Sequence, residues 1–324
     1  MLSVLQTSTS LHTLQLLHVE VKPSHQLSIL SIPTLKALVL NFSYFFPTAT
    51  KMPVSSITSL SLGPVNPPAA IKHTLRLFRS TLEILEISFI PVDVPLILEA
   101  VQLPRLTCFT LYSVTPEGLT EFTPRASSTI TKLCIITSCE PCRFGLSDGV
   151  FPKLREVSSP WWIGVQLVPG RPVQVFYDTE FGEMELSNLQ ADLVLLAQST
   201  RGIKVLRLST SLSMHCLLQY LATHVTQLQR LYLWMNTQSL MTIPLESQQP
   251  PIEGNLNALI EIHITFTDRI EWCDARPLTC HRLSAMCLWI CPALELVTVS
   301  ISDSISQQMF KLRRMRTGEW EDLV

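Results

Sequence analysis

One spacing recurs along this chain: apolar-x-x-apolar-x-apolar, so that the last two apolar residues flank a single residue between them. It occurs at Leu11/Leu14/Leu16, Leu35/Leu38/Leu40, Ile57/Leu60/Leu62, Leu82/Leu85/Ile87, Leu106/Phe109/Leu111 and Ile130/Leu133/Ile135. The last members of these six triplets are 24, 22, 25, 24 and 24 residues apart. A weaker copy, Leu154/Val157, follows. The full pattern then returns at Ile203/Leu206/Leu208, Leu228/Leu231/Leu233, Leu259/Ile262/Ile264 and Leu294/Val297/Val299. Leu208 lies 73 residues beyond Ile135, close to three more steps, and the remaining steps are 25, 31 and 35. Each triplet reads as a short strand with two inward residues around one outward residue.

A strand and a return segment repeated at this interval cannot bury an apolar face alone, so neighbouring copies must stack. The 324 residues would otherwise suit two ordinary domains or one array; the regular step favours the array. The expected organisation is a degenerate repeat array over residues 1–300, about 24 residues per repeat and irregular near 158–200, followed by a tail segment at 301–324. The returns differ. Asn188–Ser199 and Ser213–Val225 carry helical apolar spacing, whereas Gly63-Pro-Val-Asn-Pro-Pro68 is proline-rich and should be irregular.

Over roughly residues 11–300 the chain resembles leucine-rich repeat proteins. The resemblance implies an α/β solenoid, with a curved parallel sheet on its concave side and mixed helical and irregular returns. That family usually places Asn or Cys three residues after the last strand Leu. Here those positions hold Val19, Ser43, Val65, Ile90, Val114 and Ser138, and Asn236 is the single match. A mostly apolar ladder and a distorted middle are therefore expected. At the C-terminus, CPALELVTVS and MFKLRRMRTGEWEDLV resemble the end of F-box/leucine-rich-repeat proteins of mushroom-forming fungi, through Cys291, Pro292, Leu294, Leu312, Arg313, Arg314, Gly318 and Trp320. The resemblance implies repeats that recognise substrate for a cullin–RING ubiquitin ligase, whose adaptor binds an N-terminal F-box. The first repeat begins by Leu11, so an F-box is not expected in this chain.

Composition narrows the partners. Apolar residues make up 47% and charged residues 15%, so much of the chain must be buried or one apolar face must await a partner. The net charge is −2, and the one basic cluster, 311–316, is offset by Glu319, Glu321 and Asp322. A nucleic-acid partner is not expected. The most apolar stretch, 84–101, is broken by Glu86, Pro91, Asp93, Pro95 and Glu99, so no membrane span is expected. The N-terminus lacks a signal-peptide pattern. Nine cysteines in such a chain then suggest free thiols in the cytoplasm or nucleus, and the sequon Asn41-Phe-Ser43 reads as chance.

Little here carries catalytic chemistry. Gly145-Leu-Ser-Asp-Gly149 matches the nucleophile-elbow string but lacks the strand and helix that motif requires. Cys139-Glu-Pro-Cys142 is a lone pair where zinc wants four ligands. Cys280, Cys287 and Cys291 fall, with Leu283, on one stripe of a helix and suit core packing, with Cys273 and His281 the other potential donors. His215 and Cys216, adjacent on a helix, point about 100° apart. With ten glycines there is no phosphate-cradling loop. No cofactor or metal is expected, and a zinc- or thiol-dependent enzyme stands only as an alternative. The Trp161-Trp162 pair fits either a wide core or a binding patch.

The residues between paired strand positions should line the exposed sheet face: Gln15, Val39, Ser61, Glu86, Thr110, Cys134, Ser158, Arg207, Tyr232, His263 and Thr298. Just beyond the strand core come Tyr112 and Trp234. The first half is small and bland. Arg207, Tyr232, Trp234 and His263, with Tyr112, have the aromatic-plus-Arg composition that protein-binding surfaces favour. The expected role is a scaffold that binds another protein, either as a ligase substrate receptor or as an interaction repeat with no ligase link.

Overall fold

A computed structural model describes residues 10–45, 55–64, 68–88, 94–137, 139–180, 186–236, 256–266, 290–302, 307–315 and 320–322. Of the residues singled out above, 65, 90, 91, 93, 138, 273, 280, 281, 283, 287, 318 and 319 lie outside this set. The chain is α/β, dominated by parallel strands, with eight helices among the described residues, and it divides into two compact units, Met1–Leu154 and Arg155–Val324.

The first unit contains β1 (Thr13–Leu17), β2 (Glu20–Val21), α1 (Pro23–Leu30), β3 (Ala37–Asn41), β4 (Tyr44–Phe45), β5 (Ser59–Leu62), α2 (Pro68–Leu77), β6 (Ile84–Ser88), α3 (Val94–Val101), β7 (Cys108–Tyr112), α4 (Pro116–Thr120), α5 (Pro124–Ser127) and β8 (Lys132–Ile136). Strands β1, β3, β5, β6, β7 and β8 pair in parallel in that order. Their register aligns the apolar triplets copy on copy. Leu38, Leu60, Leu85, Phe109 and Leu133 form one buried row, and Leu40, Leu62, Ile87, Leu111 and Ile135 the next. The intervening row runs Gln15, Val39, Ser61, Glu86, Thr110, Cys134, the alternation the spacing predicts except on β7, where Thr110 is itself buried.

Between strands, one carbonyl per turn carries the stacking. The oxygens of His12, Lys36, Thr58, Glu83 and Thr107 each accept two consecutive backbone N–H groups from the next copy, at 2.8–3.1 Å. This satisfies the backbone where each strand begins, which a buried turn requires. Four of this unit's five helices start on Pro, whose missing N–H costs nothing at a first turn, and α3 has Pro95 at its second position. Thr115 and Thr123 cap two of them, accepting from the Gly118 and Ala126 N–H groups at 3.3 and 3.2 Å.

On the far side of the strands, Val114 stands buried at a position where leucine-rich repeat proteins usually place Asn. The polar contacts pass to hydroxyl groups instead. Fully buried Ser43 accepts the Val19 N–H at 2.8 Å and donates to the Asn41 carbonyl at 3.0 Å, and the Thr137 hydroxyl donates to the Val114 carbonyl at 3.0 Å. Ser43→Ala removes a hydroxyl serving two backbone groups, one of them 24 residues away. It is expected to destabilise the first unit by about 1–2 kcal/mol, read as a lower urea midpoint at unchanged slope. An unchanged midpoint would show that water replaces the hydroxyl.

The second unit contains β9 (Glu156–Ser159), α6 (Trp161–Leu167), β10 (Val175–Asp178), α7 (Leu186–Ala197), β11 (Val205–Thr210), α8 (Met214–His224), β12 (Arg230–Met235), β13 (Glu261–Phe266), β14 (Leu296–Ser302), β15 (Gln307–Arg314) and β16 (Trp320–Asp322). Strands β9 to β14 pair in parallel in sequence order. The turn carbonyls of Arg155, Gln174, Lys204, Gln229 and Ile260 repeat the double-acceptor arrangement of the first unit. Segment 158–200, expected to be irregular, thus contains a registered strand, β10, and two helices.

After β14 the chain reverses. β15 pairs antiparallel with β14 and β16 with β15, so the C-terminal segment continues the sheet as a meander. Leu312, one of the residues carrying the fungal resemblance, is buried opposite Val297, while the guanidinium of half-buried Arg314 donates to the Pro292 carbonyl at 2.7 Å.

Candidate protein-binding face

The exposed face of the second unit is assembled one residue per strand. Ser158 registers with Tyr177, Tyr177 with Arg207, Arg207 with Tyr232, Tyr232 with His263, His263 with Thr298, and Thr298 with Lys311. Adjacent strands lie about 5 Å apart, so these side chains are immediate neighbours. A second row, two residues further along each strand, holds Ser209, Trp234, Thr265 and Ser300. The inward residues between them, including Leu206, Leu208, Leu231, Leu233, Ile262 and Ile264, are buried and hold the strands rigidly.

Four of the five expected binding residues meet here in pairs. The Tyr232 ring and the His263 imidazole stack 4.6 Å apart at 10°. The Arg207 guanidinium carbon lies 3.9 Å above the centre of the Trp234 ring. That second contact is diagonal: Arg207 registers with Tyr232, and small Ser209 stands opposite Trp234, leaving room for the guanidinium to reach across. Tyr112, the fifth, is half-buried at the end of β7 in the first unit, in register with Ser88 and Ile136. Burial, reinforced by the Glu86 carboxylate, raises its phenol above the ordinary tyrosine range.

The charges on this face are unequal in their partners. Glu261 accepts from Arg230 Nε at 3.1 Å through one oxygen and from the His263 Nε2–H at 2.8 Å through the other. Burial and the nearby Glu261 carboxylate raise the Tyr232 phenol, partly offset by Arg230. Arg207 makes no hydrogen bond or ion pair among the described residues, and its Nε is shielded from water. The Thr298 hydroxyl is likewise buried without a partner.

Tyr177 escaped the sequence reading. It lies on β10, whose inward positions are Phe176 and Asp178, so the third apolar residue of the triplet is a carboxylate and the strand carries no complete signal. The Val173/Phe176 pair, both buried, is the trace that could have revealed it. Lys311 escaped because it sits on an antiparallel return.

The other candidates separate. Trp161 is 8% exposed and packs edge-on to Phe176 at 5.3 Å, with its indole N–H donated to Asp192 at 2.8 Å; it is a core residue. Around Ser147 the backbone forms neither strand nor helix, so no elbow exists there. Cys139 is half-buried, Cys142 exposed, and Cys291 buried with its thiol pushed up to about 12 by desolvation. Among the described residues no group of three His, Cys, Asp or Glu side chains could hold a metal ion, and no helix is long and apolar enough to cross a membrane. His215 is half-buried on α8, its imidazole pushed below the usual range by desolvation, while the Cys216 N–H serves the Ser213 cap. Compared with models of known protein families and with curated proteins, the chain matches none.

Proposed function

We propose that this chain is a leucine-rich-repeat scaffold that binds another protein through the exposed sheet face of its second unit, acting by recognition rather than catalysis and needing no cofactor. The observation that carries the reading is the unbroken row Tyr177, Arg207, Tyr232, His263, with Trp234 stacked beside it on rigid strands. Tyr, Trp and Arg are the residues that dominate interface energies, and preorganised ones lose little entropy on binding. The narrower proposal, the substrate-recognising part of an F-box-type ubiquitin-ligase receptor, rests on the Cys291-to-Trp320 resemblance. The alternative is the same scaffold with no ligase link.

Affinity capture with the full chain tests both. Trp234→Ala and Tyr232→Ala are each expected to reduce retention of the captured partner at least tenfold, about 1.4 kcal/mol, while Ser61→Ala on the first unit's face leaves it unchanged. Recovery of cullin–RING adaptor subunits supports the ligase proposal, and their absence with other partners retained removes it. Equal retention by all three variants overturns the assignment of the face.

A further inference from the structure

The same face specifies what its partner must present. The Arg207 guanidinium carbon lies 3.9 Å over the centre of the Trp234 ring, with its Nε shielded and no protein acceptor among the described residues. The side chain as a whole is only half-buried, and the planar fork of N–H groups on a guanidinium matches the two oxygens of a carboxylate. Glu261, the carboxylate two strands along the row, is already shared between Arg230 and His263. Arg230 is thereby neutralised, so Arg207 is the one cation of the group Arg207, Arg230, Glu261 and His263 with its charge unanswered.

Beside Arg207 in the row stand Tyr177 and Tyr232, flat half-buried rings that would seat an extended segment. A nucleic acid would call for several unpaired cations following a phosphate backbone, and this row does not supply them.

We infer that Arg207 is the receptor for an aspartate or glutamate side chain in a peptide segment of the partner, seated across Tyr177, Tyr232 and Trp234. The inference rests on the protein-binding reading above and adds the chemistry of the ligand.

The test uses the full chain and a displayed library of random dodecapeptides. Selected peptides are synthesised with a fluorophore, and their affinity is measured by anisotropy. The expected result is that selected peptides carry an acidic residue whose change to Asn or Gln weakens binding at least tenfold. On Arg207→Gln the same change should matter less than twofold, and on Arg230→Gln the tenfold effect should persist. Arg207→Lys, which keeps the charge and loses the fork, is expected to retain only part of the discrimination. The peptide comparison on the unaltered protein needs no variant, so a poorly folding Arg207→Gln leaves the test intact. Selected peptides without an acidic residue, or acid dependence unchanged in Arg207→Gln, would overturn the inference and leave protein binding standing. Tenfold tighter binding when phosphoserine replaces the acidic residue would overturn the carboxylate as the source. A selection in which no peptide exceeds background on the folded chain would overturn the protein-binding reading together with it.

Discussion

Gly164→Ala is expected to destabilise the second unit by about 3 kcal/mol, although alanine is the better helix former. Gly164 lies inside α6, where replacing glycine by alanine normally gains about 1 kcal/mol. Here the added methyl would overlap the Phe176 ring on β10 and come within 2.7 Å of the Ser159 hydroxyl on β9. The helix rests directly on its two strands at this point, so neither neighbour can yield as a flexible surface chain would. Phe176 is fully buried and held edge-on by Trp161. Overpacking of such a site costs about 1–3 kcal/mol and occasionally more. For a unit of this size each kcal/mol lowers the melting temperature by about 2–4 °C, so a fall of about 10 °C is expected by calorimetry. The double variant Gly164→Ala/Phe176→Leu tests the cause. Its loss should be smaller than the sum of the two single losses, because the methyl then occupies space the ring has vacated. Strict additivity, or a melting temperature that rises in Gly164→Ala, would show that the helix does not approach the strands this closely.

The same contact explains what could and could not be read from the chain alone. Period is a local property, so the triplets at 11–135 and 203–299 located strands β1, β3, β5 to β8 and β11 to β14, and even the outward residue of each. Leu106, Phe109 and Leu111 line up with their counterparts on both neighbouring strands because a two-residue alternation leaves one register that buries every apolar side chain. The middle was illegible for a physical reason. Repeats there are held by a tryptophan edge, a close-approaching glycine and a buried carboxylate, none of which has a period. Pairings that depend on side-chain reach were equally hidden. Register sets Arg207 beside Tyr232, but its contact with Trp234 is diagonal, past small Ser209, and no spacing in the chain encodes it. The hydroxyl ladder at Ser43 shows a third limit. A position lacking the family's Asn was expected to be mostly apolar along the array, and at this turn a shorter hydroxyl makes the connection.

Asp178 should make the stability of the second unit fall as pH rises from about 4 to 7. It occupies the inward position that Leu208, Leu233 and Ile264 fill on later strands, 7% exposed, and burial lifts its carboxyl from 3.8 to about 6. The backbone N–H groups of Glu180, Ser209 and Trp161 favour the charged form, with the Glu180 contact at 3.1 Å, and the Glu180 carboxylate opposes them. Desolvation outweighs these donors, so the folded chain binds the proton more tightly than the unfolded chain. The stabilisation this proton provides is complete below about 4 and is lost as pH passes through about 6. A difference of that size corresponds to about 3 kcal/mol between the two ends of the window. Glu180, also raised by burial, acts in the same direction, so the wild-type curve alone does not isolate Asp178. Asp178→Asn does, because it keeps an acceptor for the Glu180 N–H and removes the titration. Urea unfolding at pH 4.0 and 7.0 should show the variant losing about 3 kcal/mol less than the wild type across that interval, with its relative gain concentrated at the higher pH. Parallel wild-type and variant profiles would mean that water reaches the carboxylate and keeps it ionised. The sign carries a structural meaning: at neutral pH an ionised Asp178 works against the packing that Phe176 and Gly164 hold together. It nonetheless ends the β10–β11 pairing at Tyr177 by taking the Ser209 N–H, which leaves Tyr177 as the last residue of that ladder, beside Arg207 on the exposed face.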